Sequence, residues 1–398
     1  MMESAAQDSF FTVEATDVES AAPGAKPGNA VSHARTGRLR IAPGIEVETP
    51  VFMPVGTVGS VKGLWQEDLE EIGYQLILGN TYHLFLRPGH ELIRQRGGLH
   101  KFMAWPGAIL TDSGGYQVFS LSERVKFLEN GVEFASHIDG SRHQFTPESV
   151  IDVQRALGSN IMMLLDDCPP GDADPERVAQ SLDRTHRWAR AAVAHYEQLV
   201  DRGELDPRRN RIFGIAQGCM DLERRAESLE AIQSMPFPGV AIGGLSVGES
   251  RDDMYRVLDF LAPRMDPVRP HYLMGVGAIP DLLEGIRNGI DMFDCVLPTR
   301  NARNGQLFTS RGRVNIRNRQ YAERDDAPDP ECGCRVCRRY SLAYLRHLFQ
   351  AGEMLGPMAA TYHNLYFLRD FMGAARTAIR AGRFSEFYLH WKKIEESA

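Results

Sequence analysis

Eight short apolar runs punctuate the chain, each ending in glycine or a polar residue: Val51–Gly56, Tyr74–Asn80, Ala108–Gly115, Ile161–Cys168, Arg211–Gly218, Gly239–Ser246, His271–Gly277 and Met292–Thr299. Near-continuous apolar character, rather than alternation, marks parallel strands buried on both faces. Between several runs lie segments whose apolar positions recur at three and four, as on one face of a helix; Pro175–Leu199, Asp221–Met235, Glu249–Met265 and Ile279–Asn288 are the clearest. Strand–helix alternation with eight strands predicts an α/β fold, a (β/α)8 TIM barrel. The C-terminal end of each run is then a candidate active-site position.

The remaining pattern divides the chain. Residues 37–300 are read as the barrel. Residues 1–36 precede it as an N-terminal strand (Phe10–Ala15) and a mobile Ala/Gly/Pro-rich linker (Asp17–Ala34). Residues 301–398 follow as a basic segment, an inserted zinc-binding subdomain and C-terminal helices. Leu39–Glu48, with Pro43-Gly44 at its centre, reads as a hairpin into the first barrel strand. Tyr116–Pro147 is too long for a turn and carries a second hairpin signal at Asp139-Gly140, and Thr146 before Pro147-Glu148 suits a helix N-terminus.

Composition adds limits. With 43% hydrophobic and 24% charged residues the chain can bury a large core. A net charge of −7 argues against nucleic-acid binding by the whole surface, yet Thr299–Ala322 holds Arg300, Arg303, Arg311, Arg313, Arg317 and Arg319 and no acid. So basic a stretch in an acidic chain reads as a localised phosphate contact, which Arg335, Arg338 and Arg339 extend. No run of eighteen apolar residues exists to span a membrane, and residues 1–32 show no basic start followed by an apolar stretch. A cytoplasmic protein is expected.

Three of the six cysteines are clustered as Cys332-x-Cys334-x2-Cys337. In a chain of this length the spacing points to a tetrahedral Zn²⁺ rather than a disulfide framework, with a fourth ligand from a following helix. His347 and His363 both qualify by spacing. A closed four-ligand site staples structure and leaves no position for substrate. Zinc deaminase chemistry is disfavoured, because the one His-x-Glu, His195-Tyr196-Glu197, sits far upstream in a long helix and Gly333, not proline, precedes the Cys334/Cys337 pair.

Three aspartates fall where barrel chemistry belongs: Asp112 in Thr-Asp-Ser-Gly-Gly-Tyr, Asp166 in Leu-Leu-Asp-Asp-Cys, and Asp294 in Met-Phe-Asp-Cys. One such residue can simply cap the next helix, but three at separate strand ends point to function. Gln217 and Gly243-Gly244 also end strands and offer polar groups suited to the edge of a heterocycle.

Thr-Pro-Val-Phe-Met-Pro-Val-Gly (49–56), Thr-Asp-Ser-Gly-Gly-Tyr-Gln (111–117), Ala-Ile-Gly-Gly-Leu-Ser-Val-Gly-Glu (241–249), Tyr-Leu-Met-Gly-Val-Gly (272–277) and Phe-Asp-Cys-Val-Leu-Pro-Thr-Arg (293–300) follow in order. With the zinc pattern they make the chain resemble the bacterial tRNA-guanine transglycosylases (queuine tRNA-ribosyltransferases) from about Gly37 to the C-terminal helices. The resemblance implies exchange of guanine at the wobble position of GUN-anticodon tRNAs (those for Asp, Asn, His and Tyr) for 7-aminomethyl-7-deazaguanine. It implies Asp294 as nucleophile and Asp112 as general acid/base. Asp166, Gln217, Gly244 and Leu245 would read the base's polar edge, and Tyr116 and Met274 would cover its faces. Arg300 and Arg303 would hold neighbouring nucleotides, His363 would complete a structural zinc site, and the chain would form a homodimer. Two displacements at one anomeric carbon retain configuration.

Two positions depart from the commonest bacterial pattern: Asp167, where glutamate is more usual, and Cys219, where a second glycine is usual. Both are candidates for altering base selectivity. A queuine-inserting, eukaryotic-type enzyme is disfavoured by Cys168 and by Val247, where that pocket has glycine. A non-catalytic RNA-binding subunit is disfavoured by the presence of both Asp112 and Asp294.

Overall fold

The computed structural model describes residues 9–17, 32–121 and 125–397. Most of the expected Asp17–Ala34 linker, residues 18–31, lies outside the described residues. The central sheet runs in the order Val51–Met53, Met292–Asp294, His271–Leu273, Val240–Ile242, Arg211–Ala216, Ile161–Met163, Ala108–Thr111, Leu76–Gly79, Val55–Gly56. Every neighbouring pair is parallel. The two outermost strands belong to one apolar run. Pro54, which has no N–H to give a ladder, divides that run, while its carbonyl accepts from the Leu78 N–H at 2.9 Å. One half pairs with the last strand and the other with the second, so the eight runs close as the predicted barrel.

The strands are shorter than the apolar runs, because the end of each run rises above the ladder into the loops over the barrel. The eighth run shows this most clearly. Its expected strand to Thr299 stops at Asp294, and a helix, Leu297–Arg303, begins with Pro298 in its first turn. The predicted crossover helices appear as Pro175–Asp201, Leu222–Gln233, Arg251–Leu261 and Ile279–Arg287. Asp174, Asp221 and Ser250 accept backbone N–H groups at the N-termini of the first three. Thr146 caps Pro147–Leu157 as expected.

Beneath the barrel the guanidinium of Arg35 is buried against Asp291, at 3.1 and 2.6 Å from its two oxygens, and also donates to the carbonyls of Pro267 and Arg269. Asp291 in turn accepts the His271 N–H at 2.7 Å. The hairpin of Arg35–Ala42 and Ile45–Thr49 is thus fastened to the last two barrel strands.

Two additions complete the molecule. A helix, Gly115–Leu121, is followed by a three-stranded antiparallel sheet (Val125–Leu128, Gly131–Ala135, Arg142–Phe145) over an aromatic cluster that includes Tyr82, Phe134, Phe145 and Trp188. After the barrel come a hairpin (Gln306–Thr309, Gly312–Asn315) and helices Leu342–Ala351, Leu355–Arg380 and Phe384–Ser397. The long helix Leu355–Arg380 lies against the barrel: the Leu365 carbonyl accepts from the Tyr74 hydroxyl, Asn364 donates to the Pro298 carbonyl, and Arg376 donates to the Pro50 carbonyl. One apolar core runs through barrel and C-terminal helices alike. No helix among the described residues is long and apolar enough to cross a membrane.

Candidate active site

A cavity of about 430 Å³ opens over the C-terminal ends of the barrel strands. Asp112, Asp166, Gln217, Gly244, Leu245, Tyr116, Met274, Asp294 and Arg300 all line it. Arg303 does not; it stands one helical turn beyond Arg300.

Asp294 ends the last strand. Its Oδ1 accepts the Tyr272 hydroxyl at 2.6 Å and the Gly275 N–H at 2.8 Å, and among the described residues its Oδ2 has no hydrogen-bond partner. One oxygen is therefore fixed and the other is left for substrate. Burial raises the Asp294 pKa against the opposing pull of both donors.

Asp112, just past Thr111, is held more completely: Oδ1 by the Thr81 N–H at 2.8 Å and Oδ2 by the Asn80 amide at 2.5 Å. Burial pushes its pKa up to about 7, the Thr81 N–H pulls it down, and the Asp294 charge raises it further. The Asp294 charge thus adds to burial in favouring a protonated Asp112.

The far wall is an array of donors and acceptors. Asp166 accepts the Gln217 amide at 2.6 Å and, more weakly, the Ser113 hydroxyl at 3.4 Å. Its pKa rises to about 6, chiefly through burial. The Gln217 Oε1 is buried without a hydrogen-bond partner among the described residues. A side chain at Gly243 or Gly244 would collide with the Gln217 amide, at 2.6 and 2.3 Å, so these two glycines are what admit it. Tyr116 is 52% exposed at the mouth.

The two departures turn out not to face the cavity. Asp167 is buried and ion-paired with Arg177 and Arg184 of the helix behind its strand. Cys219 adopts φ +48°, a left-handed conformation that costs a side-chain-bearing residue roughly 1–2 kcal/mol and that glycine takes freely.

Behind the mouth the basic segment divides. Arg300 is exposed, and Arg303 has a buried Nη1 without a hydrogen-bond partner among the described residues. Arg313 instead pairs with Glu395 at 2.6 Å, and Arg317 donates to the carbonyls of Asn304 and Phe349. Arg335 pairs with Asp68 and Glu71, so it fastens the cysteine segment to the helix Gln66–Ile72. The continuous positive region read from sequence is thus partly consumed by internal contacts.

Away from the cavity, the ligand atoms of Cys332, Cys334, Cys337 and His363 lie within 4.8 Å of one another. His363 Nδ1 is 3.8, 3.5 and 3.3 Å from the three sulfurs in turn. A tetrahedral zinc with ordinary Zn–S and Zn–N bonds would set that edge at roughly 3.5 Å. The other ring nitrogen is 2.7 Å from the Phe308 carbonyl, which holds the proton there and leaves Nδ1 as the donor atom. The residues fit the ion. His347 is exposed on its helix and outside the cluster.

Sequence reasoning missed several contributors. Asn80 and Thr81, which clamp Asp112, stand at the polar end of the second run. Tyr272 was hidden inside the apolar seventh run. Arg225 occupies an inward position of Leu222–Gln233 beside Ser228, Leu229 and Ile232, and a charge at a core position was the available signal.

A family model described as Queuine tRNA-ribosyltransferase matches residues 30–397. A protein of that name from Leptospira biflexa is 53% identical over 91% of this chain and 96% of its own length. One from Solidesulfovibrio magneticus is 56% identical over 89% and 93%, and one from Oleidesulfovibrio alaskensis 51% identical over 96% of both.

Proposed function

The chain belongs to the queuine tRNA-ribosyltransferase family, and from that premise we propose that it exchanges guanine at the wobble position of GUN-anticodon tRNAs for 7-aminomethyl-7-deazaguanine through a covalent intermediate on Asp294. As a member it is a pentosyltransferase, a tRNA-guanine transglycosylase. The observation that carries the mechanistic reading is the division of labour between the facing carboxyls: Asp294 keeps an oxygen free, whereas both oxygens of Asp112 are held. Asp294 attacks the ribose anomeric carbon as the bond to guanine breaks, and Asp112 delivers the proton that guanine needs to leave. The incoming base gives a proton back to Asp112 and displaces Asp294. Radiolabelled guanine entering an unmodified tRNA of this class, and none entering a tRNA lacking guanine at that position, tests the reading.

This assignment of roles fixes a pH dependence. The productive state has Asp294 ionised and Asp112 protonated. Raising the pH through the Asp112 value, near 7, removes the acid, while lowering it neutralises Asp294. The kcat/KM profile is expected to be bell-shaped with its descending limb near 7. Asp112→Asn should erase the descending limb and cost about 10²–10⁴-fold in rate. A limb that persists in that variant would assign the acid to another group.

The 7-aminomethyl base is favoured over queuine because Val247 lines the cavity where the larger ring would sit. The unmodified enzyme is expected to reject queuine, and Val247→Gly to accept it, as measured by competition against labelled guanine. For tRNA, Arg300 and Arg303 are the contacts to weigh first, since neither is ion-paired among the described residues. Replacing both with alanine should flatten the log–log salt dependence of binding by about one unit per lost phosphate contact. Arg313→Ala should do less, because its partner is Glu395. Cys332, Cys334, Cys337 and His363 would hold one Zn²⁺, which when bound cross-links the C-terminal segment. A homodimer in the cytoplasm completes the reading.

A further inference from the structure

Arg225 is fully buried, and its four acceptors are all main-chain carbonyls. Nε donates to Cys219 at 2.7 Å, Nη1 to Gly243 at 2.6 Å and more distantly to Ala216 at 3.4 Å, and Nη2 to Gly244 at 2.8 Å. No carboxylate among the described residues forms an ion pair with it. A buried guanidinium left without a counter-ion is costly, and a neutral side chain could have filled the same space.

Its geometry suggests a use. In a trans peptide the C=O of one residue and the N–H of the next point in opposite directions. When Arg225 draws the carbonyls of Gly243 and Gly244 toward itself, it turns the N–H groups of Gly244 and Leu245 the other way. Gly244, at φ +62°, makes two successive carbonyls on one side possible. Neither N–H has an acceptor among the described residues, and both residues line the cavity beside Gln217. Two adjacent N–H groups aimed at one point form a nest for an oxygen carrying negative charge.

We propose that Arg225 is a positioning residue that aims this pair of N–H groups at the carbonyl oxygen on the six-membered ring of the exchanged base, and so selects 6-oxo over 6-amino purines. The proposal rests on the base-exchange reading above. As the bond from ribose C1′ to the base nitrogen breaks and the bond to Asp294 forms, the electron pair stays with the base. It spreads from that nitrogen to the 6-oxygen. The charge behind the two peptides polarises their N–H groups toward that oxygen, as in an oxyanion hole. The proton from Asp112 then neutralises the base.

The test is the ratio of dissociation constants for guanine and 2,6-diaminopurine, in which an amino group replaces the 6-oxygen. Native enzyme, Arg225→Lys and Arg225→Gln are compared, with folding checked by thermal melting. The native enzyme should favour guanine, Arg225→Gln should lose about tenfold or more of that preference, and Arg225→Lys should recover part of it. A purely structural role would weaken both bases alike, so an unchanged ratio in a folded variant overturns the proposal. Hydrogen exchange on the native enzyme gives a check that needs no variant: guanine should protect the Gly244 and Leu245 amides and 2,6-diaminopurine should not, and equal behaviour would also overturn it. Native enzyme that exchanges guanine while either test fails leaves the base-exchange reading standing. Failure of the native enzyme to exchange guanine would remove both.

Discussion

Asp294→Asn is expected to abolish base exchange, by about 10⁴-fold or more, while leaving tRNA binding and folding in place. An asparagine side-chain oxygen can still accept the Tyr272 hydroxyl and the Gly275 N–H, so the local frame survives. The substitution removes a buried charge, so the melting temperature should not fall. What is lost is the unpaired oxygen's ability to bond carbon. Native enzyme incubated with tRNA should give a denaturant-resistant protein–RNA band, and Asp294→Asn none. A band that persists in Asp294→Asn and vanishes in Asp112→Asn would reverse the two roles.

The second large effect is expected from the metal. Elemental analysis should find one zinc per chain, and Cys334→Ala or His363→Ala should lose it, whereas His347→Ala should keep it. Binding to such sites amounts to about 10–16 kcal/mol in isolated zinc modules, so its loss should unravel whatever the ion alone holds. The stretch most exposed to that loss is Asp329 to Tyr340, which has little regular structure of its own and is otherwise fastened through Asp329 to Ser310 and Arg335 to Asp68 and Glu71. Limited proteolysis should cut there in Cys334→Ala and not in the native protein. Because Arg335 of that stretch also ties down the helix Gln66–Ile72, the damage should reach the barrel rim. Full metal content in His363→Ala would overturn the ligand set.

The barrel was legible in the sequence because burial on both faces writes an unbroken apolar run, and the polar ends of several runs marked cavity residues such as Asp112 and Gln217. The Cys332, Cys334, Cys337 part of the cluster was legible because sulfur ligands close in sequence are close in a short loop, but its histidine arrives from a helix: spacing left His347 and His363 equal, the resemblance favoured His363, and the fold brings His363 to the sulfurs. Illegible parts were those in which polar groups serve other polar groups. The clamp of Asn80 and Thr81 on Asp112, the Arg35–Asp291 pair and the grip of Arg225 on carbonyls depend on residues remote in sequence. The helix Leu297–Arg303 was overlooked because its apolar start merges with the preceding strand. Asp167 and Cys219 looked like pocket variants but face the supporting helices and loops.

The helix Leu355–Arg380 carries a consequence for how the protein is made. It contributes His363 to the cysteine cluster, meets the Tyr74 and Pro298 regions, and reaches Pro50 at the start of the first barrel strand. A ribosome synthesises that first strand some three hundred residues before the helix that covers it. Closure of the ring likewise waits for Met292–Asp294 to meet Val51–Met53. The nascent barrel must therefore remain open, with apolar strand edges unpaired, until Met292–Asp294 has been made, and the face that the helix covers stays bare for longer still, which makes the growing chain a natural client for chaperones.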